Sequence, residues 1–148
     1  MSEIRGLHHL RLFVRPLRWE ATVRFYGETL GLRLQDRDPA SAWAVFALPR
    51  GATLGLERVD PADDTGASLA GRFTGVALEV KSVAQALRLM RKAGIEVLSP
   101  PLKEAWGGTV AHLRDPAGNV LTLSETRAGR PAARGRGKAR RARGRGRA

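Results

Sequence analysis

His9-Leu10-Arg11-Leu12-Phe13-Val14 and, 66 residues later, Gly75-Val76-Ala77-Leu78-Glu79-Val80 decide the architecture. Both stretches alternate with the period of a strand that has one buried face. Leu10, Leu12 and Val14 form one apolar face, and His9, Arg11 and Phe13 point the other way. Val76, Leu78 and Val80 repeat the apolar face, with Gly75, Ala77 and Glu79 opposite. A pattern that returns at a fixed interval is the signature of a duplicated unit.

Outward from each stretch the duplication continues. An amphipathic helix follows: Trp19, Val23, Tyr26 and Leu30 share one face in the first unit, and Val83, Ala86 or Leu87, Met90 and Ala93 in the second. Gly31 and Gly94 stand where such helices end. Strands are predicted over 32–35, 42–48 and 53–59, then over 95–98, 109–113 and 119–124. Two tight turns, Leu48-Pro49-Arg50-Gly51 and Asp115-Pro116-Ala117-Gly118, align 67 residues apart. The order strand–helix–three strands thus occurs twice, about 6–59 and 73–125. Residues 60–72, with Pro61, Asp60, Asp63 and Asp64, read as a solvated linker.

The chain has 148 residues and a net charge of +12, unevenly spread. Ten of its 26 Lys and Arg stand in 127–148, where there is no acid. That leaves sixteen basic and fourteen acidic residues, +2, in 1–126. A single domain over 1–126 is expected, followed by a disordered tail over 127–148 rich in Arg, Gly and Ala. Arg134, Arg136, Lys138, Arg140, Arg141 and Arg143 of that tail are the candidates for weak, sequence-independent nucleic-acid contact. No aromatic interleaves them, so base stacking is not offered. There is no cysteine, which excludes disulfides and thiol nucleophiles. No apolar run approaches the roughly 18 residues of a membrane span, and MSEIRGLHH lacks a signal-peptide core. A cytoplasmic protein without membrane contact is expected.

Two further stretches carry a resemblance: Arg24-Phe25-Tyr26 with Thr29-Leu30-Gly31-Leu32, and Trp106-Gly107-Gly108 with Arg114-Asp115-Pro116-Ala117-Gly118-Asn119. With the duplicated βαβββ order, residues 6–125 resemble the vicinal oxygen chelate superfamily. That group holds glyoxalase I, extradiol dioxygenases, and fosfomycin- and bleomycin-resistance proteins, and the second stretch resembles the bleomycin-resistance branch. The resemblance implies an α+β fold of two βαβββ modules with curled, cup-shaped mixed sheets. It also implies a homodimer with cups at or near the subunit interface and ligands on the concave faces.

In metal-dependent members the ion is held from the start of each module's first strand and from within each last strand. The matching positions here are His9, Gly55, Gly75 and Thr122. Only His9 ligates well, whereas a useful divalent site needs about three or four donors. The resemblance therefore implies a metal-free, small-molecule-binding protein that sequesters an aromatic or amphipathic ligand. The candidate ligand contacts are His9, Arg11, Phe13, Trp43, Phe46, Glu79, Trp106, His112 and Thr122. The aromatics among them form walls for a planar ligand. Arg11 and Glu79 are charges on strands with an apolar opposite face, which pair with each other or meet a polar ligand. Two alternatives stay open. One is a glyoxalase-like lyase or dioxygenase with a divalent metal in a rewired site of His9, His112 and Glu79 or Glu57. The other is nucleic-acid association through the tail. No nucleophile elbow, phosphate loop or dinucleotide fingerprint is present.

Overall fold

Apolar alternation in the first strand requires a partner strand on one edge and a helix on one face, and both are found. The computed structural model describes residues 3–40 and 42–126. β1 (His9–Val14) pairs in parallel with β4 (Thr53–Arg58), His9 opposite Thr53 and Arg11 opposite Gly55. β4 pairs antiparallel with β3 (Trp43–Ala47), and β3 with β2 (Arg33–Arg37), giving the order β1-β4-β3-β2. The second module repeats the arrangement. β5 (Phe73–Glu79), β9 (Val120–Glu125), β8 (Thr109–Arg114) and β6 (Glu96–Val97) follow in that order, and β7 (Leu102–Lys103) also pairs with β8.

One face of each sheet is closed by a helix. In the first module α1 (Trp19–Arg24) runs into a single π turn, Phe25–Thr29. Two successive aromatics of that turn, Phe25 and Tyr26, enter the core, as Thr22 and Val23 do one turn earlier. In the second module α3 (Val83–Lys92) is capped by the Ser82 side chain and buries Val83, Leu87 and Met90. Leu12, Val14, Leu54, Leu56, Leu113, Leu121 and Leu123 meet these helices in one continuous core. Among the described residues no helix is long and apolar enough to cross a membrane.

The linker differs from the expected loop. It holds a short helix, α2 (Asp64–Leu69), with the Asp63 carboxylate accepting from the Thr65 amide at 3.0 Å. Asp60 likewise accepts from the Ala62 amide. These acids act on their own backbone, as Asp does at caps and turns.

The turn between β8 and β9 joins the modules. Asp115 and Asn119 are both buried there. Asp115 accepts four hydrogen bonds: from the Tyr26 hydroxyl at 2.8 Å, from Asn119 Nδ2, and from the amides of Ala117 and Asn119. Asn119 in turn donates to the Phe13 carbonyl and accepts from the Gly71 amide. Burial pushes the Tyr26 phenol well above its ordinary value, and the Asp115 charge and hydrogen bond push the same way. The hydroxyl is therefore a permanent donor.

Candidate functional site

On the face of each sheet away from its helix, the odd-parity residues of β1 meet those of β3 and β4. His9, Arg11, Trp43, Val45, Gly55 and Glu57 line a cavity of about 400 Å³, whose walls all come from the first module. Arg11 Nη1 donates to Glu57 Oε2 at 3.1 Å, and its guanidinium lies 5.9 Å from the Phe13 ring centroid. His9 Nδ1 shares a hydrogen bond with Thr53 Oγ1 at 2.6 Å. Its ring lies over Gly55, where an added Cβ would stand 2.7 Å from both Cε1 and Nε2. Gly55→Ala is expected to push the imidazole off Thr53 with a stability change below about 1 kcal/mol, because only the end of a side chain must move. Imidazole ¹⁵N shifts alongside thermal unfolding measure both; an unmoved His9 signal would contradict the packing.

The second module offers a matching face. His112 Nδ1 pairs with Thr122 Oγ1 at 2.9 Å across β8 and β9. Phe73 sets its ring edge-on to His112, centroids 6.2 Å apart, and remains 63% exposed. Leu102 stands opposite Val110 and shares its face, also exposed. Phe73 and Leu102 were not legible as cup residues. The pairing of β5 with β9 slips between Phe73 and Ala77, with Gly75 at φ +72 inside the irregularity. That bulge gives Phe73, paired with Val120, the register that His9 holds against Thr53 in the first module.

The four positions that hold a metal in other members do not suit one here. Gly55 has no donor and is covered by His9. Gly75 has no donor, and the Thr122 hydroxyl is engaged by His112. Among the described residues no group of three or more His, Cys, Asp or Glu could hold an ion.

Several expectations need correction. Phe46 is 1% exposed, packs 6.0 Å from Tyr26 between ring centroids, and belongs to the core. It sits three residues from Trp43 on one strand, so the two point to opposite faces. Trp43, 39% exposed, lines the cavity of the first module. Arg11 and Glu79 do not pair. Arg11 binds Glu57, while Glu79 lies 3.6 Å from Arg50 and accepts from the Thr126 hydroxyl. Trp106 sits in the turn between β7 and β8 with its ring folded onto Gly108, where a Cβ would overlap it. It is 41% exposed and borders neither the 400 Å³ cavity of the first module nor the cavity beside α1. Arg134, Arg136, Lys138, Arg140, Arg141 and Arg143 lie outside the described residues.

Known proteins share this arrangement. A structure from Sphaerobacter thermophilus described as a member of the glyoxalase/bleomycin resistance protein/dioxygenase superfamily is 25% identical, with a TM-score of 0.66, covering 84% of this chain and all of that one. TnmS3, an antibiotic binding protein from Streptomyces sp. CB03234, is 28% identical with a TM-score of 0.65, covering 84% of this chain and 98% of that one. A lactoylglutathione lyase from Agrobacterium tumefaciens shares the fold at 20% identity and a TM-score of 0.66, over 82% and 94% of the two chains. No curated protein matches. The family profile named Glyoxalase/Bleomycin resistance protein/Dioxygenase superfamily matches residues 6–123. With the duplicated module and this match over most of its length, the chain belongs to the glyoxalase/bleomycin resistance protein/dioxygenase superfamily.

Proposed function

We propose that the protein binds and sequesters a small aromatic or amphipathic molecule, without a metal, in a cup that a second copy of the chain completes. The observation that carries this reading is the pair of half-cups. Each leaves a large aromatic exposed on its concave face, Trp43 in the first module and Phe73 in the second. Aromatic walls hold planar ligands by stacking and apolar burial. Arg11 and Glu57 supply polar contacts at the rim. The cavity of the first module is lined by that module alone, so a second copy bringing Phe73, Leu102 and His112 against it would close the site. Likeness to an antibiotic binding protein at 28% identity supports the sequestering role. The functional unit is 1–126, so deletion of 127–148 should leave ligand affinity unchanged.

Two measurements test the reading. Tryptophan fluorescence is titrated with bleomycin and with neutral polycyclic aromatics, and saturable quenching that disappears in Trp43→Ala is expected. Metal analysis of the purified dimer is expected to find no stoichiometric divalent ion, and one tightly held ion per cup would overturn the proposal.

One observation favours a second reading. Both histidines commit Nδ1 to a threonine, which leaves Nε2 of His9 and His112 as ligands for an ion shared between copies. A metal-dependent lyase or dioxygenase would use that pair, and metal content unchanged in His9→Ala would reject it.

A further inference from the structure

The larger cavity lies elsewhere, on the helix side, and both modules build it. Helix α1 and its π turn form one wall, and the α3–β6 connection with the β8–β9 turn forms the other, around about 620 Å³. This is the size of a pocket for a small organic molecule. Phe25, Ile95 and Pro116 provide apolar surface within it. Arg18, Arg24 and Arg114 also border it, the first two of them exposed. The single exposed carboxylate in the walls, Glu96, is held by Arg114 Nε at 2.9 Å. Asp115 also borders the cavity, but its oxygens are buried and occupied by four donors. The Arg18 and Arg24 guanidiniums enter no ion pair among the described residues.

We propose that this inter-module groove binds a small organic anion with an apolar body, a carboxylate on an aromatic or aliphatic frame, as a site separate from the cup. Two observations combine in that assignment. Arg114 is shared with Glu96, whereas Arg18 and Arg24 border the same cavity with no carboxylate paired to them among the described residues. A guanidinium presents a planar fork that matches carboxylate oxygens, and it binds more tightly against a partly dry wall than in open water. The backbone amides nearest the floor are already spent: Ala117 donates to Asp115 Oδ1, Gly118 to the Asp115 carbonyl, and Ile95 to the Met90 carbonyl. Recognition of charge therefore falls to the arginines, and recognition of the frame to the apolar floor. A ligand seated there touches α1 of one module and the β8–β9 turn of the other, and so clamps the modules together.

The test uses the full chain, so that the basic tail is the same in every arm. Amide ¹H–¹⁵N shifts are followed on titration with 2-naphthoate, its neutral analogue 2-naphthylmethanol, and inorganic phosphate. Naphthoate is expected to shift Gly94, Ala117 and Gly118 saturably. The double variant Arg18→Gln/Arg24→Gln should weaken that binding by about tenfold or more, and naphthylmethanol and phosphate should each bind at least about tenfold more weakly than naphthoate. Trp43→Ala should leave the three shifts intact, which separates this groove from the cup. Equal naphthoate affinity in the double variant and the parent would overturn the proposal, as would shifts confined to Gly55 and Thr122. Phosphate binding as tightly as naphthoate would show that the floor plays no part and would overturn it too.

Discussion

Asp115→Ala is expected to lower the free energy of unfolding by about 3–5 kcal/mol, the range for removing one partner from a buried, hydrogen-bonded charged network. The carboxylate is the common acceptor for the Tyr26 hydroxyl, Asn119 Nδ2 and two backbone amides. Alanine would leave the Tyr26 hydroxyl and both amides buried without a partner. The Asn119 side chain would keep only its bonds to Phe13 and Gly71. Asp115→Asn should cost less, because its amide oxygen still takes the two backbone donors while the Tyr26 hydroxyl turns to accept from its NH₂. Chemical unfolding of the parent and both variants gives the ranking, and a loss below about 1 kcal/mol in the alanine variant would contradict the role of this turn as the tie between modules.

The same carboxyl makes a pH prediction. Burial raises its pKa, and the hydrogen bonds from Tyr26, Asn119 and Ala117 pull it back only in part. The folded state thus holds the proton more tightly than the unfolded chain does. The stability this group contributes is complete below the ordinary carboxylate range and declines as pH rises through the raised value. The stability advantage of the parent over Asp115→Asn should therefore shrink over the interval above about pH 4, the ordinary carboxylate value. An advantage that grows over that interval would mean the four donors outweigh burial.

How much of this was legible in the sequence depends on whether the relevant signal is local. The alternation in 9–14 placed Leu12 and Val14 in the core and His9 and Arg11 in the cup without any knowledge of the partner strand. The turn at 115–118 was equally plain, because Pro and Gly at those offsets specify a turn wherever they stand. Its energetic weight was not plain, since it rests on Tyr26, 89 residues away. Phe73 was hidden for a different reason. Alternation puts Phe73 on the face of Gly75, Ala77 and Glu79, but the start of β5 and its slipped pairing with Val120 were not visible, so the strand was read from Gly75 onward. The Asp63 cap was misread as a loop acid because Asp favours turns and helix starts alike.

Phe46 shows an error that simple counting would have prevented, and it yields the second large prediction. Phe46→Ala is expected to destabilise the fold by about 3–5 kcal/mol, while Trp43→Ala on the same strand should cost about 1 kcal/mol or less. Strand geometry fixes the contrast. Residues 43 and 46 differ by an odd number, so one side chain must enter the core if the other enters the cup. Phe46 fills the space beside Tyr26 and Gly27, with a ring atom 3.5 Å from where a Gly27 Cβ would stand. Its removal opens a cavity that the π turn above cannot close without giving up the Tyr26–Asp115 bond, which sits on the same ring. Trp43 has no such constraint, because more than a third of it already meets solvent. Ligand binding should invert the order. Phe46→Ala, measured well below its melting temperature, should keep the affinity of the parent, and Trp43→Ala should lose about tenfold or more. Equal stability losses in the two variants would place both rings in one environment and overturn the assignment of faces on which the cup is built.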